Sequence, residues 1–186
     1  MLNRIFFVCL CLCLCLYSAG SAMSCRWMDH KFRQYSKNSL DLLDMMAHNS
    51  INTTEDVEVE ETVALPEHLY SQVSNASAED RLGFTVQVLK EVAALFEEDS
   101  SFASWEEKQM DDFLNIVTQQ ADGLRSCIVS HSHMKNKKLH MYFKRLSRHV
   151  LKQMDYSVES WELIRKEIKN HLMRSDVLIS SLLTIN

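Results

Sequence analysis

Apolar residues recur at three- and four-residue steps through most of the chain, the spacing that aligns one face of an α-helix. Phe32, Tyr35, Ser39, Leu42, Leu43 and Met46 share such a face and predict a first helix near 31–48, with Arg33, Lys37, Asp41 and Asp44 on its polar side. Between Asn49 and Asn75 the pattern dissolves into Asn, Thr and acids around Pro66. Val57 and Val59 alternate with glutamates too briefly for a strand, so this stretch reads as a long loop. A second helix is expected behind the cap pair Ser77 and Asp80, with a stripe of Leu82, Val86, Leu89, Ala93 and Phe96. Ser104 and Glu107 have the spacing of a capping box and introduce a third helix, marked by Trp105, Phe113, Ile116, Val117, Leu124 and Cys127. Past the polar link 130–133, Leu139, Phe143, Leu146, Val150 and Met154 mark a fourth. Ser157 can cap a fifth, whose stripe is Trp161, Ile164, Ile168, Leu172, Ile179 and Leu182.

Punctuation supports the all-α reading. After residue 22 the chain has one proline, Pro66, and two glycines, Gly83 and Gly123, so the turn residues that hairpins and sheets require are nearly missing. Connection lengths then set the topology, because short links join antiparallel neighbours whereas a loop of nearly 30 residues can return along a whole bundle. If the first helix runs up, the long loop lets the second run up as well, and the short links send the third down, the fourth up and the fifth down. The expected fold is a helical cytokine: an up-up-down-down four-helix bundle of the first, second, third and fifth helices. The fourth is an additional crossover helix.

The first 22 residues change the picture of where such a bundle resides. Residues 5–16 are uncharged and apolar, follow Arg4, and end in the small-residue stretch 18–22, which is the pattern of a signal peptide. Twelve residues are well short of the roughly 20 that span a bilayer. The alternative is a retained anchor or buried helix. The expected division is a signal peptide at 1–22 and a helical domain at 23–186, without membrane insertion of the mature chain. The leader carries one basic residue and no acid, leaving 19 basic against 25 acidic residues, a balance that argues against general nucleic-acid binding. Four of the six cysteines leave with the leader. Cys25 and Cys127 remain, and an oxidising compartment favours a disulfide between them over two free thiols. Secretion also gives meaning to the sequons at Asn52 and Asn75, expected to carry N-linked glycan at surface positions.

No catalytic constellation stands out: the chain has no Gly-rich phosphate loop, nucleophile elbow, Cys-x-x-Cys or His-Glu-x-x-His, so neither an enzyme nor a cofactor is expected. His131 and His133 lack a third ligand and read as solvated side chains. The fourth predicted helix concentrates Lys135, Lys137, Lys138, Lys144, Arg145, Arg148 and Lys152 beside His140 and His149. Such a field reads as a solubilising face, or as a contact for an acidic receptor surface or sulfated glycans.

The last third of the chain carries a motif. The run Tyr142-Phe143-Lys144-Arg145-Leu146, followed by Tyr156-Ser157-Val158-Glu159-Ser160-Trp161-Glu162-Leu163-Ile164-Arg165, resembles the signature of type I interferons. That signature has a Tyr-Phe pair in the fourth helix and a Cys-Ala-Trp-Glu-x-x-Arg run opening the fifth. Trp161, Glu162 and Arg165 match; Glu159 stands for the family's cysteine, Ser160 for its alanine, and one extra residue separates the two halves. The start, Cys25-Arg26-Trp27-Met28, together with Cys127, is similar to the two-cysteine group of fish type I interferons, which lacks one of the family's two bridges.

The resemblance implies a secreted antiviral cytokine that binds a heterodimeric class II cytokine receptor and triggers JAK-STAT signalling and antiviral gene induction. One receptor chain would contact the first helix, the long loop and the last helix, and the other the three middle helices. Another secreted four-helix cytokine, a helical carrier and a glycan-binding protein are the alternatives. On the last helix, Lys166, Lys169 and Met173 share a stripe turned away from Trp161, Ile168 and Leu172, with Arg165 at its boundary; Trp161, Ile164 and Ile168 are assigned to the core. These four are the receptor-binding candidates. An ordinary solvent face carrying a Glu162–Lys166 helical pair is the competing reading of that stripe. Phe143 is assigned to the core with the apolar stripe of the fourth helix.

Overall fold

The computed structural model describes residues 25–49, 65–98, 103–129 and 135–183. The signal-peptide segment, the Asn52 sequon and His131 and His133 lie outside them. Six helices appear there and no strand: α1 Arg26–Asn49, α2 Glu67–Ser74, α3 Ala78–Phe96, α4 Glu107–Arg125, α5 Lys137–Arg145 and α6 Val158–Leu183. α5 runs on into a wide π turn, Leu146–Leu151, and a 3-10 turn, Lys152–Met154.

Side-chain pairs give the direction of each helix. Along α1, Ser36 donates to Asp176 at 2.7 Å, whereas Arg165 reaches the Leu43 carbonyl at 3.1 Å, so α1 and α6 are antiparallel. Cys25, just ahead of α1, is bonded to Cys127, just past α4, and Tyr35 donates to Gln119, so α1 and α4 are antiparallel too. α3 opposes α6, since Arg81 meets Ser181 at one end and Phe96 meets Trp161 at the other. α1 and α3 therefore run one way and α4 and α6 the other, the expected up-up-down-down order. α5 runs with α3, in steady register: Gln87 bonds Asn136, Glu91 bonds His140, and Glu98 bonds Ser147.

Four local details depart from the sequence-based expectation. The stretch 49–75 is not loop throughout, because α2 forms at its end: Leu69 and Tyr70 turn inward while Glu67 and His68 stay exposed, a pattern too short to register as a period. The Ser104 and Glu107 capping box does not form. Glu106 is the N-cap and α4 starts at Glu107, since the segment before it is drawn inward by Trp105, which stacks on Phe96 with ring centres 5.7 Å apart. α1 begins five residues early, at Arg26, directly behind the disulfide. The fourth element widens into the π turn instead of staying α-helical to Met154. The caps at Ser77 and Ser157 form as expected, each hydroxyl accepting a backbone N–H at 3.2 Å.

Gly123 shows why the α1–α4 contact needs a glycine. A methyl group there would overlap the indole of Trp27, which is held two residues from the disulfide and tilted against Tyr35 at 5.6 Å. Gly123→Ala should therefore lower stability by about 1–3 kcal/mol in urea unfolding, overpacking outweighing a helix-propensity gain of up to about 1 kcal/mol. The loss should shrink in a Trp27→Ala background; an equal loss there would show that the indole is not what the methyl meets.

Candidate functional site

α6 carries most of the chemistry, and its first two turns are committed to the interior. Trp161 is fully buried against Phe96 and Trp105, with ring centres 5.8 and 5.7 Å away, in a cluster that Phe113 completes. Its indole nitrogen has no partner among the described residues, a cost of about 1–3 kcal/mol that enclosing so large a ring outweighs. The next residue, Glu162, accepts from the Trp105 indole at 3.0 Å with one oxygen and from Arg165 at 2.9 Å with the other. Arg165 then donates to the Leu43 carbonyl of α1 and is only 7 % exposed. This corrects one assignment: Arg165 is withdrawn from the outward stripe and ties α6 to α1. The Glu162–Lys166 pair of the competing solvent-face reading gives way to Glu162–Arg165 for the same reason. Ile164, Ile168 and Phe143 are buried.

The outward stripe consists of Lys166, Lys169 and Met173. Lys166 is exposed, Met173 is 49 % exposed, and Lys169 leans across to pair with Asp44 of α1. Val177, one turn further and 65 % exposed, extends the stripe. Val177 is not among the sequence-based candidates, although its four-residue step from Met173 is the signal that marks it. Beyond Lys169 the two helices flank an open groove of about 420 Å³, lined by Arg33, Lys37, Asp41 and Asp176 among others. The face thus combines two helices, exposed apolar side chains and both signs of charge.

The second half of α6 holds a buried polar cluster that joins it to α2 and α5. The Tyr70 hydroxyl and His171 Nδ1 are 2.6 Å apart, and Tyr142 of α5 donates to Glu167. His171 is fully buried, also contacts the rings of Tyr142 and Phe143, and has Nε2 3.9 Å from Glu167. Arg174 pairs with Glu67 at the exposed edge. The end of the long first connection is thereby pinned to α6 beside the stripe, through residues that the sequence pattern did not single out.

The match that decides the family covers most of the chain: the interferon alpha/beta domain fits residues 28–182. The chain belongs to the interferon alpha/beta family. It is 36 % identical to interferon a3 of Oncorhynchus mykiss over 158 residues, 85 % of this chain and 86 % of that protein. It is 26 % identical to interferon epsilon of Sus scrofa over 186 residues, 92 % and 91 % of the two chains. Among solved structures, zebrafish interferon 1 matches with a TM-score of 0.69 at 28 % identity, over 84 % of this chain and 98 % of that one. The relation to fish type I interferons and the helical-cytokine fold both stand.

In this interferon a π turn lies between the halves of the motif. Such a turn takes one residue more than an α turn, so Val150 and Leu151 still face inward after Leu146. Two left-handed residues, Asp155 and Tyr156 with φ of 50° and 56°, then reverse the chain into α6. That conformation costs a tyrosine on the order of 1–3 kcal/mol. The Tyr156 amide donates to Leu151 and its hydroxyl to Glu98, which hold it there.

Burial pushes the imidazole of His171 down from 6.5 to about 3, so the ring stays neutral in the fold. Below pH 6.5 the unfolded chain takes up a proton that the folded chain refuses, and stability falls by up to about 1.4 kcal/mol per pH unit. Burial raises Glu167 above the ordinary carboxyl range, which offsets part of the loss as the acid side is reached. Urea unfolding should show a loss of about 1–2 kcal/mol between pH 6.5 and pH 5. His171→Phe should flatten that dependence, and an unchanged slope in the variant would exclude His171 as its source.

Proposed function

We propose that this interferon is a secreted antiviral cytokine. It engages a heterodimeric class II cytokine receptor and acts through JAK-STAT signalling to induce antiviral genes. One receptor chain contacts α1, α2 and the outward side of α6, where Lys166, Lys169 and Met173 are the contact residues and Val177 joins them; the other contacts α3, α4 and α5. The observation that carries this reading is the division of α6. Its conserving-the-fold residues Trp161, Glu162 and Arg165 face inward, whereas the adjoining stripe is exposed and satisfies no packing need. Exposed apolar residues rimmed by charge are the usual composition of a protein-binding surface.

Secretion is supported by the Cys25–Cys127 bridge, which belongs to an oxidising compartment, and by the apolar leader. Asn75 follows α2 as its C-cap and is exposed, so it meets the surface requirement of a glycosylated sequon. Its side-chain amide donates one hydrogen to Ser71, leaving the other nitrogen valence for the sugar.

Residues 23–186, applied to cells of the source animal, should raise receptor-dependent STAT phosphorylation and resistance to viral infection. No response at saturating dose would refute the proposal. Lys166→Glu with Lys169→Glu should weaken receptor binding at least tenfold while changing stability by under about 1 kcal/mol, because among the described residues the ion pair lost is the half-exposed Lys169–Asp44. Arg165→Ala should do the reverse, lowering stability by about 2–3 kcal/mol through loss of a buried charged hydrogen-bond network. A folded double mutant with native receptor affinity would remove Lys166 and Lys169 from the contact.

A further inference from the structure

Between residues 135 and 154 the chain carries seven lysines and arginines and no aspartate or glutamate, within a protein of net charge −5. The structure places Lys137, Lys138, Lys144, Arg145, Arg148 and Lys152 all on the exposed side of α5 and its continuing turns. None of these six forms an ion pair among the described residues. Two acids lie along one edge of the strip: Glu91 of α3 bonds His140 and Lys135, and Glu98, just past α3, accepts from Ser147 and Tyr156. Both line a cavity with Lys144, Arg148 and Lys152, and two carboxylates leave most of the cations' charge unbalanced. At 1.5 Å per helical residue, the cations extend over roughly 20 Å. Lys137, Lys144, Arg148 and Lys152 follow at steps of seven, four and four residues, close to one line along the helix.

We infer that this strip binds a sulfated glycosaminoglycan chain. A linear array of unpaired cations matches a linear array of sulfates; arginine supplies forked donors and lysine point charges. A protein partner fits less well, because lysine is depleted from the cores of protein interfaces and Met141 is the one large apolar side chain exposed along the strip. Single-stranded nucleic acid would need stacking rings, yet Tyr142 and Phe143 are buried. A membrane surface would need the apolar side of the helix, which Leu139, Leu146 and Val150 have already committed to the core. The strip is separate from the α6 stripe, and it shares α5 with the contact proposed for the second receptor chain, so the heparin readout tests the strip without requiring a receptor.

The test uses residues 23–186 on immobilised heparin, with chemically desulfated heparin and poly-glutamate as comparison polyanions. The protein should be retained at about 0.15 M salt and elute as screening rises. Lys137→Gln, Lys144→Gln, Arg145→Gln and Arg148→Gln combined should reduce heparin affinity by roughly thirtyfold or more, with an unchanged circular dichroism spectrum. Lys166→Gln with Lys169→Gln should stay within about twofold, since those residues lie outside the strip. Flow-through of the wild-type protein at about 0.15 M salt would overturn the inference. So would equal retention of the fourfold variant, or poly-glutamate or desulfated heparin binding as tightly as heparin.

Discussion

An indole as large as that of Trp161, with none of its surface exposed, has to be enclosed from every direction, and enclosing it fixes the positions of the neighbouring elements. Phe96 comes from the last turn of α3, Phe113 from the second turn of α4, and Trp105 from the segment ahead of α4. The following residue, Glu162, anchors Trp105 by its indole N–H and orients Arg165, which reaches over to α1. One turn of α6 therefore gathers the other three helices of the bundle. The charges are partly desolvated there, so their worth depends on complete pairing; Glu162 spends one oxygen on each donor, and Arg165 finds a backbone carbonyl for a second N–H. This gives the motif Trp-Glu-x-x-Arg a structural meaning: each of its three named residues is a fold determinant.

The junction leaves the far end of α6 to be organised differently. There the cluster of Tyr70, Tyr142, Glu167 and His171 joins α2 and α5 to the bundle through hydrogen bonds and ring contacts. Polar clusters of this kind specify a geometry more narrowly than apolar packing does, because each member needs its own partner. The neutral state of His171 is part of that specification: protonation would put a charge among aromatic rings with Glu167, 3.9 Å away, as its only close counter-ion among the described residues. The disulfide performs a related task at the opposite edge, tying the start of α1 to the end of α4 where Trp27 lies over Gly123.

Much of this was legible in the sequence, and the residues that were not share a physical reason. Long amphipathic stripes such as Leu82 to Phe96, the caps at Ser77 and Ser157, and the up-up-down-down order follow from local periodicity and loop length, and the described helices carry them out. α2 escaped because eight residues hold too few turns for a period to emerge; it exists through the contacts of Leu69 and Tyr70 with distant helices. Arg165 was misplaced because helical angle alone puts it at the edge of the stripe. Whether an edge residue points to solvent depends on what lies beside it, here the carbonyl of Leu43, 122 residues away in sequence. The π turn was equally invisible, because its wider winding breaks the constant period on which such a stripe depends.

The outward stripe and the basic strip remain available for partners for a related physical reason. A helix packed in a bundle must give up its apolar arc, and on α6 the family motif extends that arc to include charged residues, so Glu162 and Arg165 are consumed by the fold. Lys166, Met173 and Val177 fall outside the enlarged arc and form no part of the core. On α5 the division is sharper. Its buried side is satisfied by α3 and α6, while the element itself holds no acid and only Glu91 and Glu98 face it from the α3 side among the described residues. A field so incompletely compensated costs self-repulsion and contributes nothing to packing, so its function is to be sought in what approaches from solution.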